Sequence, residues 1–582
     1  MNEVDRLWKD RLPTEAKIVN FLKIDDRVGL KISRQARNLV RRLEGIYCNE
    51  GKDYFFCEVT SYLPQMKNIE EIKSAGFEVN IDSSTLELIK ERTEEERNRA
   101  HTIRVEKEGE KAFLIFDPDA HQAYKEVEKL CSVKYNVQGS YAGWAERTIK
   151  LSNRLHHRDD IVYSVPWWLL RGLIYFYEKR GYTLVVPEVF MEVRELPYKL
   201  EKKFELYDFQ EEAYNKWLQA EEFGTIVIPT GGGKTYVALQ SIMEKPVNTM
   251  ICVITEQLMN QWGRMLEELC GIPSSEIGYY FARKHEIKPI TIGMYHSLAA
   301  NIVKEEGRRL RESFDRVIFD EGHHVAAKTF KNVAFNLQSQ SRMCLSATPE
   351  RWDGNENLIY FASGAKCYFI NYPSLVEQKI VAPLEKFTCI VPLTKEEKRA
   401  MESVEKRVKI RRDTYLRFYH QKARIDLQAK NKLPALIEIL NRHRGEKCFI
   451  FTRYLWHVDM ISQYLRRRGI DHRVLTGATP EKERRDFFQE FRKGTTKIIV
   501  TTTVLDEGVD VPDASVSIIM GGSGQPRQMI QRTGRVCRYE EDKTAFIYEV
   551  IADHELERRL HIKRTATMVF DWNDRAKHLF FQ

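Results

Sequence analysis

From about residue 206 the chain alternates short, continuous apolar runs with amphipathic stretches. The runs are TIVIPT (225–230), TMICVIT (249–255), ITIGMY (290–295), RVIFDE (316–321), CFIFT (448–452), KIIVTTT (497–503) and SVSIIM (515–520). Each is followed by a turn or helix signal. Runs rich in β-branched residues with no alternating polar face predict strands covered on both sides, and interleaved helices make those sheets parallel. The runs form two clusters separated by a polar segment of helical composition at 394–430, so two α/β domains are predicted, over 201–383 and 384–582. No internal repeat of fixed period occurs.

The N-terminal third reads differently. Two stretches look like breaks. One, 89–111, is densely charged and nearly free of large apolar residues, either an exposed helix or a linker. The other, 192–203, leads into the first strong motif. They predict two small α+β modules, at 1–110 and 111–200. In the first, 28–32, 54–59 and 76–81 read as strands and 34–43 as a basic helix. In the second, Pro166 suits a first helical turn and Gly181 the position just past a helix end, which predicts a helix over 167–180 and then a strand over 183–186.

Composition narrows this picture only slightly. At roughly 100 to 200 residues per domain, 582 residues predict three to five domains. Hydrophobic residues at 43% and charged residues at 30% exclude a wholly disordered or collagen-like chain. The net charge of +8 allows a polyanionic partner without demanding one. Ten scattered cysteines with no CxxC pair predict neither a zinc knuckle nor a disulfide framework, and fit a reducing cytoplasm. The N-terminus is charged and lacks the apolar core of a signal peptide, and no run of about 18 apolar residues offers a membrane span.

Candidate chemistry changes the picture far more. Pro229-Thr230-Gly231-Gly232-Gly233-Lys234-Thr235 follows one predicted strand and opens a predicted helix. Glycines in such a turn let backbone N–H groups converge on phosphate oxygens, and the helix N-terminus adds partial positive charge. Lys234 would reach the β and γ phosphates, and the Thr235 hydroxyl would hold Mg²⁺. The first glycine of the strict pattern is replaced by Ile228, so a plain strand–helix turn stays open on the loop alone. Asp320-Glu321 closes a later apolar strand. Asp320 would hold Mg²⁺ through water, and Glu321 would polarise the attacking water.

The loop at 229–235 joined to Asp320-Glu321-x-His323 resembles the superfamily 2 helicases and translocases, in which the Ile228 departure is usual. Further stretches match in order. Leu206 to Gln210 looks like the adenine-reading segment, with Gln210 on the base edge. Ser346-Ala347-Thr348-Pro349 looks like the motif coupling hydrolysis to domain movement. Gly508-Val509-Asp510-Val511-Pro512 looks like the fifth motif, and 528–538 the sixth, with Gln531, Arg532, Arg535 and Arg538 matching. The resemblance covers about 206–550. It implies two RecA-like motor domains sharing an ATP site, with ATP and Mg²⁺ as cofactors. Thr230, Gly231, Gly233, Lys234, Gly508, Asp510, Gln531 and Arg532 would bind the nucleotide, and Arg535 and Arg538 would meet the γ-phosphoryl group.

Within that superfamily the chain is most similar to the XPB-like branch. Pro349 to Gly354 resembles its Arg-Glu-Asp element, with Trp352 where that family carries Glu; Arg351, a candidate nucleic-acid contact, and Asp353 form either part of that element or a local ion pair. The segment 394–430 sits where XPB-type proteins carry a thumb-like insertion. It interleaves Arg411, Arg412 and Arg417 with Tyr415 and Phe418, suited to phosphates and stacked bases, or it is a solvated face. Residues 135–187 resemble the DNA-recognition module of XPB-like and phage UvsW-type helicases. The expectation is an ATP-dependent DNA helicase or translocase, tracking 3′ to 5′, in a prokaryotic or virus-infected cytoplasm. It would act on forked, branched or damaged duplex, with no membrane partner and with room for a nuclease or repair partner protein. Three alternatives remain: a motor subunit of a restriction or anti-phage defence complex, a nucleotide-gated DNA clamp, and an RNA helicase.

Overall fold

The computed structural model describes residues 17–24, 27–33, 35–48, 56–62, 64–138, 144–156, 160–190, 192–351, 353–410, 415–502, 514–521, 539–541, 543–565 and 577–580. They fall into two compact units, 1–132 with 150–191, and 133–149 with 192–582.

The N-terminal unit carries two five-stranded sheets. The first runs in the order Ile46–Cys48, Phe56–Val59, Arg27–Ile32, Ile18–Ile24, Glu78–Ile81, antiparallel except for the last pair. Val19, Phe21, Val28, Leu30 and Ile32 supply its buried face, and helices Gln65–Ser74 and Ser83–Ala100 add Ile69, Ile72, Leu88 and Ile89. Asp82 caps the second helix by accepting from the Thr85 N–H, which satisfies one of its free donors. The charged stretch at 89–111 is therefore helix and then strand. The expected module boundary at 110 falls in the turn between strands Thr102–Glu108 and Lys111–Phe116, which pair along their length. The expected basic helix over 34–43 is confined to Arg37–Val40. The expected helix over 167–180 begins as a single 3-10 turn at Trp167–Leu169 and continues as Leu170–Glu178. Cys48 and Cys57 face each other across antiparallel strands and are joined as a disulfide. This corrects the expectation that the cysteines stay reduced. The two lie nine residues apart on a hairpin, a separation that only strand pairing brings together.

The second unit holds two parallel sheets. The eight-stranded one has the order Lys284–His285, Ile277–Phe281, Ile290–Met294, Thr249–Val253, Arg316–Phe319, Ser341–Ser346, Phe223–Val227, Lys366–Phe369, and only its two-residue first strand is antiparallel. The seven-stranded one has the order Arg473–Leu475, Ile498–Thr501, Cys448–Phe451, Val516–Ile519, Ala545–Ala552, Leu384–Val391, Lys577–Phe580, parallel throughout. The central strands are buried at every residue, as expected for sheets covered on both faces. The crossovers are helices with clear end signals. Glu256–Cys270 starts at Thr255, whose hydroxyl accepts from the Leu258 N–H, and stops at left-handed Gly271 before Pro273.

The stretch 192–203 is tied down against the first sheet's layer. Leu196 N–H donates to the Pro246 carbonyl, Glu201 to that of Cys270, and Arg194 pairs with Asp315. The thumb-like segment is a helical pair, Lys395–Ile410 and Tyr415–Leu427, joined by the Lys422–Glu405 ion pair at 2.6 Å. His554 donates to Asp426 at 3.2 Å and so fastens the pair to helix Glu555–Thr565.

Candidate active site

The site gathers where three parallel strands end. Strand Phe223–Val227 delivers the glycine loop, Arg316–Phe319 the acidic pair, and Ser341–Ser346 the coupling motif. Parallel strands all finish on one edge, so residues about 90 and 30 positions apart in sequence become neighbours. The Ile228 N–H donates to the Ser346 carbonyl at 3.2 Å, and the Ser346 hydroxyl accepts from the Thr348 N–H at 3.1 Å.

The loop needs its glycines. Gly231 and Gly233 stand at φ 93° and 73°, the left-handed region that side chains disfavour. A Cβ on Gly233 would lie 2.5 Å from Gln210 Nε2, and one on Gly232 at the same distance from Ile228 Cγ2. Helix Lys234–Glu244 starts directly after, so the first N–H groups and the Lys234 side chain share one end. Gln210 is held by the backbone on both sides of its amide. Its Oε1 accepts from the Tyr207 N–H at 3.1 Å, and its Nε2 donates to the Gly232 carbonyl at 3.0 Å. It braces the loop from beneath, almost wholly buried.

Asp320 is buried and ringed by donors. Trp262 Nε1–H reaches its Oδ2 at 2.8 Å, and the Glu321 N–H its Oδ1 at 2.9 Å. Burial, then the neighbouring Glu321 carboxylate, push the Asp320 pKa up, and the Trp262 bond and Lys234 only partly offset that. Burial acts on Glu321 in the same sense, but Lys234 and His323 outweigh it and hold Glu321 below the ordinary carboxylate range. Lys234 thus acts electrostatically on both acids, although it is 86 residues from Asp320 in sequence. Glu321 itself adopts φ 46° and ψ 50°, a conformation a non-glycine residue holds only when its surroundings impose it. Its Oε2 lies 3.3 Å from His323 Nδ1.

Beyond the coupling motif the structure turns Arg351 inward, with 15% of its side chain exposed. Its guanidinium holds Asp353 through two bonds at 2.8 and 2.7 Å and donates to the His323 carbonyl at 2.8 Å. Of the two readings left open for Arg351, the local ion pair is the one present. Asn355 in turn bonds to Asn136. Trp262 and Asn355 escape sequence reasoning, and the contacts of His323 and Asn136 do too. Trp262 falls on the apolar stripe of its helix with Met259 and Leu266 and carries no separate signal.

Gly508, Asp510, Gln531, Arg532, Arg535 and Arg538 lie outside the described residues, as do Arg411, Arg412 and Trp352. Tyr415, Arg417 and Phe418 lie on helix Tyr415–Leu427, with their side chains outside the described set. Farther along that helix, Arg424 lies over the Trp456 ring at 5.3 Å, and Trp456 stacks on Tyr454.

Residues 203–351 match the family described as "Type III restriction enzyme, res subunit", and 431–540 match "Helicase conserved C-terminal domain". The DNA 3′-5′ translocase XPB2 of Sulfurisphaera tokodaii is 34% identical over 395 residues, 62% of this chain and 86% of that protein. The DNA 3′-5′ helicase XPB of Mycobacterium tuberculosis is 29% identical, over 61% of this chain and 62% of that protein. The general transcription and DNA repair factor IIH helicase/translocase subunit XPB/SSL2 of Saccharomyces cerevisiae is 23% identical, over 60% of this chain and 41% of that protein. Among the described residues no helix is long and apolar enough to cross a membrane.

Proposed function

The chain belongs to the XPB-like branch of the superfamily 2 helicases, ATP-hydrolysing DNA motors, and from that premise we propose how its residues divide the work. Lys234 and the N–H groups at the start of helix Lys234–Glu244 bind the β and γ phosphates. Thr235 and Asp320 hold Mg²⁺, which when bound would neutralise charge on the phosphates. Glu321 orients the attacking water and takes its proton. Arg535 and Arg538 complete the site from the second motor domain, with Gly508, Asp510, Gln531 and Arg532 beside them. Thr230, Gly231 and Gly233 shape the loop, and Gln210 braces it.

The observation that carries this reading is the convergence of Lys234 on an acidic pair of unequal character. A triphosphate with a divalent cation suits these residues. The loop turns through three consecutive glycines, two of them left-handed, a cation stands at a helix N-terminus, and one carboxylate is kept ionised by its depressed pKa, ready to accept a hydrogen bond from water. Asp320, buried and raised, accepts a divalent cation in place of a proton.

On the DNA side, the motor tracks 3′ to 5′. Residues 1–110 and 111–200 form accessory modules ahead of motor domains at 201–383 and 384–582. The helical pair at 394–430 grips DNA through Arg411, Arg412, Arg417, Tyr415 and Phe418. Forked, branched or damaged duplex is the preferred substrate, read by the N-terminal third, in the cytoplasm and with a nuclease or repair protein as partner. The test is an ATPase titration comparing single-stranded, duplex, forked and branched DNA with RNA. Stimulation greatest by branched or forked DNA is expected, and equal stimulation by RNA overturns the substrate assignment.

A further inference from the structure

The strands Ser132–Gln138 and Trp144–Lys150 form a two-stranded sheet of their own. The chain leaves the N-terminal unit at Ser132 and rejoins it at Lys150, and the residues between, 133–149, belong to the unit that carries the motor sheets. Val133 is buried in the first motor sheet's core beside Tyr280, Tyr295 and Phe330, with Tyr135 and Ile149 packed against it. Lys331 lies over the Tyr135 ring at 3.9 Å.

Polar contacts then lead from this strand pair towards Glu321. Asn355 Oδ1 accepts from the Asn136 N–H at 2.6 Å, and Asn355 Nδ2 donates to the Asn136 carbonyl at 3.0 Å. One side-chain amide thus pairs with a peptide unit as a second strand would. Asn136 Nδ2 donates to the Asp353 carbonyl at 2.8 Å. Asp353 holds Arg351 through two bonds, Arg351 donates to the His323 carbonyl, and His323 Nδ1 faces Glu321 Oε2. Gly354 between them stands at φ 67°, where a Cβ would lie 3.2 Å from Asn136 Nδ2.

The use made of Asn355 is telling. It is the residue before helix Glu356–Ser363, where Asn ordinarily accepts from an N–H of its own first turn. Here it makes no such bond, and both polar atoms of its amide go to a peptide 219 residues away in sequence. A residue that forgoes its cap for a distant partner is shaped by the partner. Glu321, at the other end of the path, sits in a left-handed conformation that its neighbours must impose.

We propose that Asn355 and Asn136 are positioning residues for ATP hydrolysis. They clamp the 351–355 loop so that Arg351 holds the His323 backbone and, through it, the side chain that orients Glu321. Asn136 then serves hydrolysis from a strand that the N-terminal third of the chain carries. The proposal rests on the assignment of Glu321 as the group that orients water.

The experiment uses the full chain with ATP and a blunt duplex, comparing Asn355→Ala, Asn136→Ala, the double variant, and Lys134→Ala, which removes only the exposed pair with Glu146. Asn355→Ala is expected to lower kcat roughly fivefold to tenfold, the effect of one or two lost hydrogen bonds, with KM for ATP and melting temperature unchanged. Asn136→Ala loses less because its backbone bonds survive. The double variant is no worse than Asn355→Ala, since both act through one loop, and Lys134→Ala turns over normally. Wild-type kcat in Asn355→Ala overturns the proposal. So do additive losses in the double variant, or losses that track a lower melting temperature. Glu321→Gln run alongside separates the two claims: if it hydrolyses ATP normally, the Glu321 assignment has failed, whatever Asn355 does.

Discussion

In the mechanism proposed above, Lys234, Asp320 and Glu321 carry the chemistry in a few atoms, and each proposed role has its own signature. Removing the Lys234 ammonium takes away the charge that faces the phosphates and also unbalances the acidic pair. Lys234→Ala is expected to cut DNA-stimulated turnover by on the order of 10²-fold or more. Glu321→Gln keeps the size and hydrogen-bonding reach of the side chain but loses its basicity. It should bind a fluorescent ATP analogue normally while phosphate release nearly stops. Normal release in that variant would falsify the role given to Glu321. These residues were legible because each sits within a few positions of a strand end, where short motifs carry their own context. Gln210 was legible as important but not in its contacts. Its amide lies beneath the loop because the helix Asp208–Gln219 packs against helix Lys234–Glu244, and no local pattern announces that packing.

At the scale of elements, the apolar runs of the motor region appear as strands, and the polar segment at 394–430 as two helices. What the pattern of residues could not supply was how that helical pair is held. Its fastening depends on His554 and Asp426, with Lys422 and Glu405 alongside. The hydrogen bond to Asp426 raises the His554 pKa, against the opposing effect of burial. A raised pKa means that the stabilisation is complete below the ordinary histidine value of about 6.5 and fades as pH rises through the folded-state value. The helices should therefore dock more firmly at pH 6 than at pH 8, seen as larger amide protection factors in 415–427 once the intrinsic pH dependence of exchange is divided out. His554→Gln should abolish the difference, and persistence of the pH effect in that variant would assign it elsewhere. The same helices offer a test of DNA contact. Reversing Arg411, Arg412 and Arg417 to Glu should weaken duplex binding and flatten its dependence on salt, because each phosphate contact releases a counterion. An unchanged slope would return these residues to a solvated face.

For the whole molecule, the net charge of +8 was a poor guide to the partner, and the order of motifs a better one. Residues 133–149, within the N-terminal third of the sequence, belong to the unit that holds the motor sheets. The charged stretch at 89–111 reads as an exposed helix or a linker because its apolar residues are few, yet Ile103 and Val105 are enough to pack one face of a strand. The strand pair at 133–149 has no boundary signal at either end. A chain starting at Glu201 therefore loses part of the motor unit as well as the N-terminal one. It uncovers the apolar surface around Phe330 and Tyr295 that Val133 fills. We expect such a chain to melt at lower temperature than the full protein and to hydrolyse ATP poorly even at saturating DNA. Unchanged melting and turnover would mean that 133–149 contributes nothing to the motor.

The sequence by itself determined the parallel α/β sheets, the nucleotide loop, the acidic pair and the family. Each of these is written in residues that are close neighbours along the chain. Tertiary structure alone decided what surrounds them. It set Trp262 on Asp320, Cys48 against Cys57, and Asn355 across to Asn136. Those contacts join side chains whose spacing follows no helical or strand period. They exist because separate elements close on one another, and periodicity along a chain carries no information about which elements will meet.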